Sequence, residues 1–189
     1  TIYHYIKEGV LAIKPIDLPK MVSIRKRSKK VMKTNKKTLG KSIEERPEYI
    51  NDRSEFGHWE IDLVLGKKTK GEAVMLTLVE RQTRYALGVK LEDKQSQTIN
   101  RAVTHLISQC PIASITADNG SEFSLLSDLE AVDVYFAHPY SSHEIGTNGN
   151  FNGLLREYIP KGVSLNPLTS EELDNDITAI NERPRRLLQ

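Results

Sequence analysis

The chain has 189 residues, of which 38% are apolar and 28% are charged, and its formal net charge is +2. This length can bury one core with an appendage but would be crowded for two full domains, and the composition is typical of a folded domain. No run approaches the roughly 18 apolar residues of a membrane helix, so we predict a cytoplasmic protein without a membrane partner. The one cysteine, Cys110, excludes an internal disulfide framework and is interpreted as a small buried hydrophobe.

The N-terminal stretch is predicted to be a short helix followed by an extended segment. Residues 1–13 show the apolar spacing of a helix that ends near Gly9, and residues 14–20, which hold two prolines, should be extended. The chain starts with Thr1 and stops in residues 181–189 without a helix-ending signal, which indicates a piece of a longer protein.

A strongly basic segment follows. Residues 20–41 hold ten Lys or Arg and no acid, which leaves 17 basic against 25 acidic residues in the rest of the chain. Such an arm is typical of a nucleic-acid-binding tail, although a solvated linker is an equal alternative. Its binding would be non-specific and salt-dependent because it releases counterions. We place this flexible arm at residues 20–45 and assign its DNA contacts to Arg25, Lys26, Arg27, Lys29 and Lys30.

The core domain is placed at residues 46–189, with its compact part starting around Arg53. Alternating apolar residues predict a first strand over residues 58–66, and residues 73–80 and 83–92 have the pattern of two further strands. Short turns join the three strands, which predicts an antiparallel meander.

Helices and strands alternate in the remainder of the core. The predicted order is helix, strand, helix, strand, helix and helix over residues 96–110, 111–118, 124–132, 132–139, 148–159 and 170–181. Together with the meander, this order suits a mixed five-stranded sheet flanked by helices on both faces. The fold class is therefore predicted to be α/β and ribonuclease-H-like, with a basic N-terminal extension.

Two aspartates are the main candidates for chemistry. Asp62 lies within the first strand and Asp118 directly follows the fourth. Taken singly, Asp62 is as well explained as an edge-strand acid and Asp118 as part of an Asp-Asn-Gly turn. In a ribonuclease-H-like sheet, however, the first and fourth strands are neighbours, so the two carboxylates would converge. Paired carboxylates can hold magnesium for phosphodiester chemistry.

Five ordered motifs carry a resemblance to a known family. Between about residues 46 and 186, the chain resembles the catalytic core of DDE transposases of the insertion-sequence thirty family, related to retroviral integrases, through HWEIDLVLG, TLVERQTRY, ITADNGSEF, YFAHPYSS and GTNGNFNGLLREYIPKG. Residues 1–19 resemble the end of that family's helix-turn-helix region. Residues 181–189 resemble its NxRPRK motif, which implies a core truncated at its C-terminal end.

The resemblance implies a role for each matching position. Asp62 and Asp118 match the first two metal-binding acids, whereas the third acidic position is occupied by Gly149. The family usually has Trp and Arg where this chain has His143 and Ile145. The implied cofactor is Mg²⁺, or Mn²⁺, as one or two ions.

No nearby residue offers a clear replacement for the third acid. Glu157 lies eight positions after Gly149, roughly 12 Å along a helix, which is too far. Glu144 would reach the site only if its loop rearranged, and Asn152 is neutral. We therefore expect impaired catalysis. Further DNA contacts are assigned to Asn148, Asn150, Arg156 and Lys161, with helix capping or exposed solubilising charge as alternatives.

The implied activity is strand cleavage at transposon ends followed by strand transfer. The partners would be double-stranded DNA, as terminal repeats and target, and further copies of the chain in a homo-oligomer. Two alternatives stay open: a catalytically silent DNA-binding remnant, which Gly149 favours, and a ribonuclease-H-like nuclease that nicks without transposing, which the intact pair of aspartates favours as much as it favours the transposase. Among the histidines, His58 is interpreted as structural, and His138 and His143 lack metal-ligand spacing.

Overall fold

The computed structural model describes residues 2–18, 38–139 and 141–184, and the chain divides into two compact units, Thr1–Thr34 and Asn35–Gln189. In the smaller unit, the predicted N-terminal helix is confirmed as α1 (Ile2–Lys7). The extended segment predicted to follow is wrong at Pro15–Asp17, which forms a 3₁₀ turn. Proline fixes φ near its helical value, and the Asp17 carboxylate accepts a hydrogen bond from the backbone N–H of Lys14 at 2.9 Å.

A six-stranded mixed sheet forms the centre of the larger unit. Its spatial order is β1-β6-β5-β2-β3-β4, and its strands are β1 (Lys41–Ser42), β2 (His58–Leu65), β3 (Val74–Glu80), β4 (Ala86–Leu91), β5 (Ser114–Ala117) and β6 (Asp133–Phe136). Strands β2, β3 and β4 are antiparallel, and the pairs β2–β5, β5–β6 and β1–β6 are parallel. The five predicted strands and the meander are therefore confirmed.

The sixth strand, β1, was not predicted. It has only two residues, too few to show a period, and it pairs with the edge of the sheet through β6. Lys41 Nζ also donates to Asp133 Oδ1 at 2.6 Å. The larger compact unit thus reaches upstream of residue 46, into the segment that we assigned to the arm.

Helices cover both faces of the sheet, as predicted. They are α2 (Glu48–Asn51), α3 (Ser96–Gln109), α4 (Gly146–Tyr158) and α5 (Ser170–Asn181). The helix predicted over residues 124–132 is instead a 3₁₀ segment that begins earlier, at Ser121–Asp128. Within the described residues, no helix is long and apolar enough to cross a membrane.

The two faces of β2 point into two different cores. Trp59 and Ile61 pack with apolar side chains of α3 in one cluster, whereas Val64 packs with side chains of α4 and α5 in the other. Because side chains alternate along a strand, Glu60 and Asp62 share the face of Val64, beneath α4. The fold therefore places both acids of β2 against α4.

Candidate active site

The two predicted aspartates lie side by side on the α4 face of the sheet. Parallel pairing of β2 with β5 ends at the partners Glu60 and Thr116, and Asp62 and Asp118 each follow two residues later. Residues two apart on a strand point to the same face, and neighbouring strands lie about 4.8 Å apart. The expected convergence of the two carboxylates is therefore present in the fold.

The Asp62 carboxylate is partly buried and accepts hydrogen bonds from two donors. The backbone N–H of Leu63 donates to Oδ1 at 2.8 Å, and Asn152 Nδ2 of α4 donates to Oδ2 at 2.8 Å. Burial raises the pKa of Asp62 to about 6, these hydrogen bonds oppose the rise, and the negative charge of Asp118 adds to it. Ionising a partly buried carboxylate beside a second acid is costly, and a bound cation would offset that cost. The pair of acids therefore favours a cation.

A further acid, Glu122, lies near this pair and was missed in the sequence. A methyl group built on Gly120 would lie 2.8 Å from both Asp118 Oδ1 and Glu122 Oε2, so the two oxygens are at most about 5.6 Å apart. Burial raises the pKa of Asp118, and the charge of Glu122 contributes to the same rise. The sequence signal was the Asp-Asn-Gly turn, in which the backbone N–H of Gly120 donates to Asp118 Oδ1 at 3.0 Å and which leads directly into the 3₁₀ segment that holds Glu122.

Gly149 faces open space and lies one helical turn before Asn152, which donates a hydrogen bond to Asp62. Gly149 and Asn152 are three positions apart and therefore share a face of α4. A Cβ added at Gly149 would meet nothing within 4 Å. Across the part of the chain that the structure describes, no group of three or more His, Cys, Asp or Glu side chains has the arrangement of a metal site. A larger side chain at position 149 would thus find room on the face of α4 that also carries Asn152.

The acids considered as replacements for the third carboxylate are engaged elsewhere. Glu144 accepts hydrogen bonds from the backbone N–H and the Nδ1 of His138, at 2.8 and 2.9 Å. Glu157 is exposed and pairs with Arg183 at 3.1 Å. Both observations agree with the expectation that neither residue replaces the third ligand.

The first turn of α4 is fixed by a buried carboxylate from β2. Glu60 has no exposed surface, forms an ion pair with the buried guanidinium of Arg81, and accepts from the backbone N–H groups of Thr147 and Asn148 at 2.8 and 3.0 Å. The first N–H groups of a helix have no partner within the helix and carry partial positive charge, so a carboxylate there is favourable. The acid that caps α4 therefore comes from another element, and no asparagine of the helix caps it, contrary to our alternative.

Asn148 is part of this anchor and is not placed to touch DNA. Its side chain is fully buried, and Nδ2 donates to the carbonyl oxygens of Glu60 and Thr77 at 2.9 and 3.1 Å. The Thr77 hydroxyl in turn donates to Asn148 Oδ1 at 3.0 Å. The predicted DNA contact at this position is therefore corrected: the first turn of α4 faces the sheet, and the amide ties the helix to two strands.

The other predicted DNA contacts have different surroundings. Arg156 is half-buried and donates to the carbonyl oxygen of Leu65 at 2.9 Å, which ties α4 to the end of β2. Asn150 and Lys161 are exposed. The five basic residues assigned in the arm lie outside the described residues.

His58 is enclosed in the fold, in agreement with its structural interpretation, whereas Cys110 is less buried than predicted. His58 is buried, its Nδ1 lies 2.8 Å from the hydroxyl of Ser114, and burial lowers its pKa. Cys110 is half-buried and packs against the apolar cluster beneath α3. His143 is exposed beside the start of α4.

Sequence comparisons identify relatives across the whole chain. A probable transposase for the insertion-like sequence element IS1161 of Streptococcus salivarius is 62% identical over 187 residues, which cover 99% of this chain and 54% of that protein. Transposase InsI for insertion sequence element IS30A of Escherichia coli strain K12 is 35% identical over 199 residues, which cover 100% and 51%. The chain thus spans about half the length of the curated relatives it matches.

Domain and structure comparisons agree with these relatives. Residues 52–142, which include both aspartates, match the integrase core domain. The crystal structure of the catalytic core domain of BIV integrase superposes with a TM-score of 0.51 at 14% identity, over 68% of this chain and 86% of that one, and so supports the ribonuclease-H-like fold. The chain is therefore similar to the integrase core domain over residues 52–142 and, along its whole length, to about half of the transposases of insertion sequence elements IS1161 and IS30A.

Proposed function

We propose that this chain is the catalytic core of a DNA transposase that cuts strands at transposon ends and joins them to target DNA. The observation that carries the proposal is the pair of partly buried aspartates, Asp62 and Asp118, on neighbouring strands of an integrase core. Transposase relatives along the whole chain make DNA the natural substrate. A homo-oligomer that holds both ends, with the basic arm adding non-specific affinity, belongs to the same proposal.

Asp62 and Asp118 are the residues that would hold Mg²⁺ or Mn²⁺. Carboxylate oxygens are the ligands these ions prefer, and magnesium is often bound through only one or two carboxylates together with waters and substrate phosphates. The raised pKa of both acids fits a site whose charges are balanced by a cation. A bound ion would activate the attacking hydroxyl and stabilise the leaving oxygen. Asn152 holds Asp62 in place, and α4 walls the site on one side.

Turnover is proposed to be impaired because position 149 provides no carboxylate. The test compares Gly149→Glu with two controls. Gly149→Gln has a side chain of the same length without the charge, and Gly149→Ala raises the helix propensity without adding a long side chain. We expect Gly149→Glu alone to raise the rate of metal-dependent cleavage of oligonucleotides that carry transposon ends. The increase should be at least about tenfold, which corresponds to roughly 1.4 kcal/mol in the activation free energy.

Equal cleavage by all four proteins, abolished in each by Asp118→Asn, would place the third ligand elsewhere. Glu122 is then the first candidate, because it lies near Asp118. In that case Glu122→Gln would remove the activity of the unmodified chain.

A catalytically silent DNA-binding remnant is the second candidate. Gly149 favours it, as does the lack of a three-acid metal arrangement in the described residues. Under this alternative, the chain and its Gly149→Glu variant both bind end DNA and neither cleaves it at any Mg²⁺ or Mn²⁺ concentration.

A further inference from the structure

A short segment upstream of the predicted core runs along the edge of the sheet and reaches the turn that follows Asp118. Residues 39–46 form this edge segment, which includes β1 and its pairing with β6. At its start, the backbone N–H of Leu39 donates to Oδ1 of Asn119 at 3.0 Å, although the two residues are 80 positions apart in the chain. Asn119 directly follows Asp118. The edge segment therefore binds the residue next to a proposed metal ligand.

The edge segment approaches the sheet closely at Gly40. A Cβ added there would lie 2.8 Å from Cε2 of Phe136, which has no exposed surface, and 3.3 Å from Cβ of Ser127. Leu39 packs against the apolar cluster beneath α3. Because glycine has no side chain, the backbone can come close enough to β6 for Leu39 to reach Asn119.

The other end of the edge segment contacts two further elements around the site. Arg46 Nη1 donates to the hydroxyl of Thr116 on β5 at 3.1 Å. His138 Nε2 lies 3.3 Å from Oε1 of Glu44, and its Nδ1 lies 2.9 Å from Oε1 of Glu144, in the 3₁₀ turn that leads into α4. The edge segment thus meets the strand that ends at the second aspartate and the loop that leads into α4.

The turn after β5 sets the direction of the Asp118 carboxylate. The backbone N–H of Gly120 donates to Asp118 Oδ1 at 3.0 Å, so the carboxylate is oriented by the conformation of residues 118–120. Asn119 is the middle residue of this turn, and the bond from Leu39 holds its side chain. A contact that fixes the middle of the turn restricts the backbone on both sides of it, including that of Asp118.

We propose that Asn119 is a positioning residue for Asp118 and that it acts by binding the edge segment. The inference rests on the proposed role of Asp62 and Asp118 as metal ligands. Groups that orient a ligand without touching the metal typically lower metal affinity by roughly 10–100-fold when they are lost. When Leu39 is bound, the turn is ordered and Asp118 is held for the metal; when the edge segment is displaced, the turn gains freedom and the metal affinity falls.

The first test needs neither metal nor DNA. Amide hydrogen exchange at Gly120 is measured by NMR on the full ¹⁵N-labelled chain, because this N–H donates to Asp118. Asn119→Ala removes the acceptor of Leu39, whereas Gly40→Val displaces the edge segment and leaves Asn119 in place. We expect both variants to speed exchange at Gly120 by about fivefold or more, as for the loss of one hydrogen bond.

Asn181→Ala is the matched control. Asn181 Oδ1 accepts from the backbone N–H of Ala86 at 2.9 Å, which is the same kind of bond, and it does so at β4, on the opposite edge of the sheet from β1. This variant should leave exchange at Gly120 unchanged, even where it lowers the melting temperature as much as Asn119→Ala does.

The second test measures Mn²⁺ affinity in the absence of DNA, from the electron paramagnetic resonance signal of the free ion. We expect Asn119→Ala and Gly40→Val to bind Mn²⁺ about tenfold more weakly than the unmodified chain, and Asn181→Ala to bind it equally well. A general loss of stability would affect Asn181→Ala in the same way, so this comparison separates positioning from a structural role.

Unchanged exchange at Gly120 in Asn119→Ala refutes the proposal, and this variant decides the question even if Gly40→Val does not fold. Faster exchange with an unchanged Mn²⁺ affinity refutes it as well, because the order of the turn would then not matter for the metal. If the unmodified chain binds no Mn²⁺ but both variants speed exchange at Gly120, the metal site of the proposed function fails, whereas the positioning of Asp118 by Asn119 is supported.

Discussion

The buried ion pair between Glu60 and Arg81 makes the most direct stability prediction. Glu60→Gln keeps the shape of the side chain but removes the charge that offsets a guanidinium only 5% exposed. Breaking a buried pair by removing one partner costs about 3–5 kcal/mol. The glutamine can still accept from the backbone N–H groups of Thr147 and Asn148, so most of this loss should come from the isolated Arg81.

Trp59 provides the assay. It is the one tryptophan of the chain, it is 1% exposed, and it directly precedes Glu60 on β2, so its fluorescence reports unfolding of this unit. Urea titrations of the unmodified chain, Glu60→Gln, Arg81→Gln and the double variant give a double-mutant cycle. We expect the double variant to be less destabilised than the sum of the single variants by about 2 kcal/mol or more.

Additive effects of less than about 1 kcal/mol each would refute the reasoning. Such a result would mean that water screens the pair as it screens a surface salt bridge. Arg101→Gln, which removes an exposed arginine 4.0 Å from Glu92, provides the comparison for a screened pair and should change the unfolding free energy little.

The remaining predictions concern one acid, two glycines and the arm. The pKa of Asp62 is higher in the folded state, so its contribution to the unfolding free energy is complete below pH 3.8 and is lost as the pH rises through about 6. The loss amounts to up to about 3 kcal/mol. The melting temperature of Asp62→Asn should therefore depend less on pH than that of the unmodified chain. Gly153→Ala should stabilise the chain by about 0.5–1 kcal/mol, because its Cβ would meet nothing in mid-helix. Gly88→Ala should cost about 1–3 kcal/mol in the same denaturation assay, because its Cβ would clash with Cδ1 of Ile177, and that buried side chain would have to shift. Deleting residues 20–37, which spares β1, should weaken DNA binding and flatten its salt dependence in an anisotropy titration; unchanged binding would leave the arm as a linker.

Most of the fold was predictable because its strands are long enough to show a period. The eight residues of β2 alternate clearly, whereas the two residues of β1 cannot. The segment Ser121–Asp128 shows apolar spacing, but eight residues do not distinguish a period of 3.0 from one of 3.6. Local pattern therefore gave the type of the long elements and of the four-residue strands β5 and β6, and it failed at the two-residue β1 and at the 3₁₀ segment.

The roles of the polar side chains were harder to predict, because they depend on distant partners. The period of β2 shows that Glu60 and Asp62 share a face, but the partner of Glu60 lies 87 residues away at Thr147. Asn148 has the appearance of an exposed asparagine in a polar stretch, yet the first turn of α4 packs it onto Thr77. These contacts follow from how α4 docks on the sheet, which no local pattern specifies.

The anchor at Glu60 bears on how Gly149 should be understood. Glu60 fixes the backbone N–H groups of residues 147 and 148, immediately before the proposed position of the third acid, and Asn152 fixes the helix one turn later through Asp62. Neither contact involves a side chain at position 149, so the helix is held in place whatever residue stands there. A Cβ at that position also has free space. The start of α4 therefore stays anchored in Gly149→Glu, so that variant tests the missing carboxylate separately from the departures at His143 and Ile145.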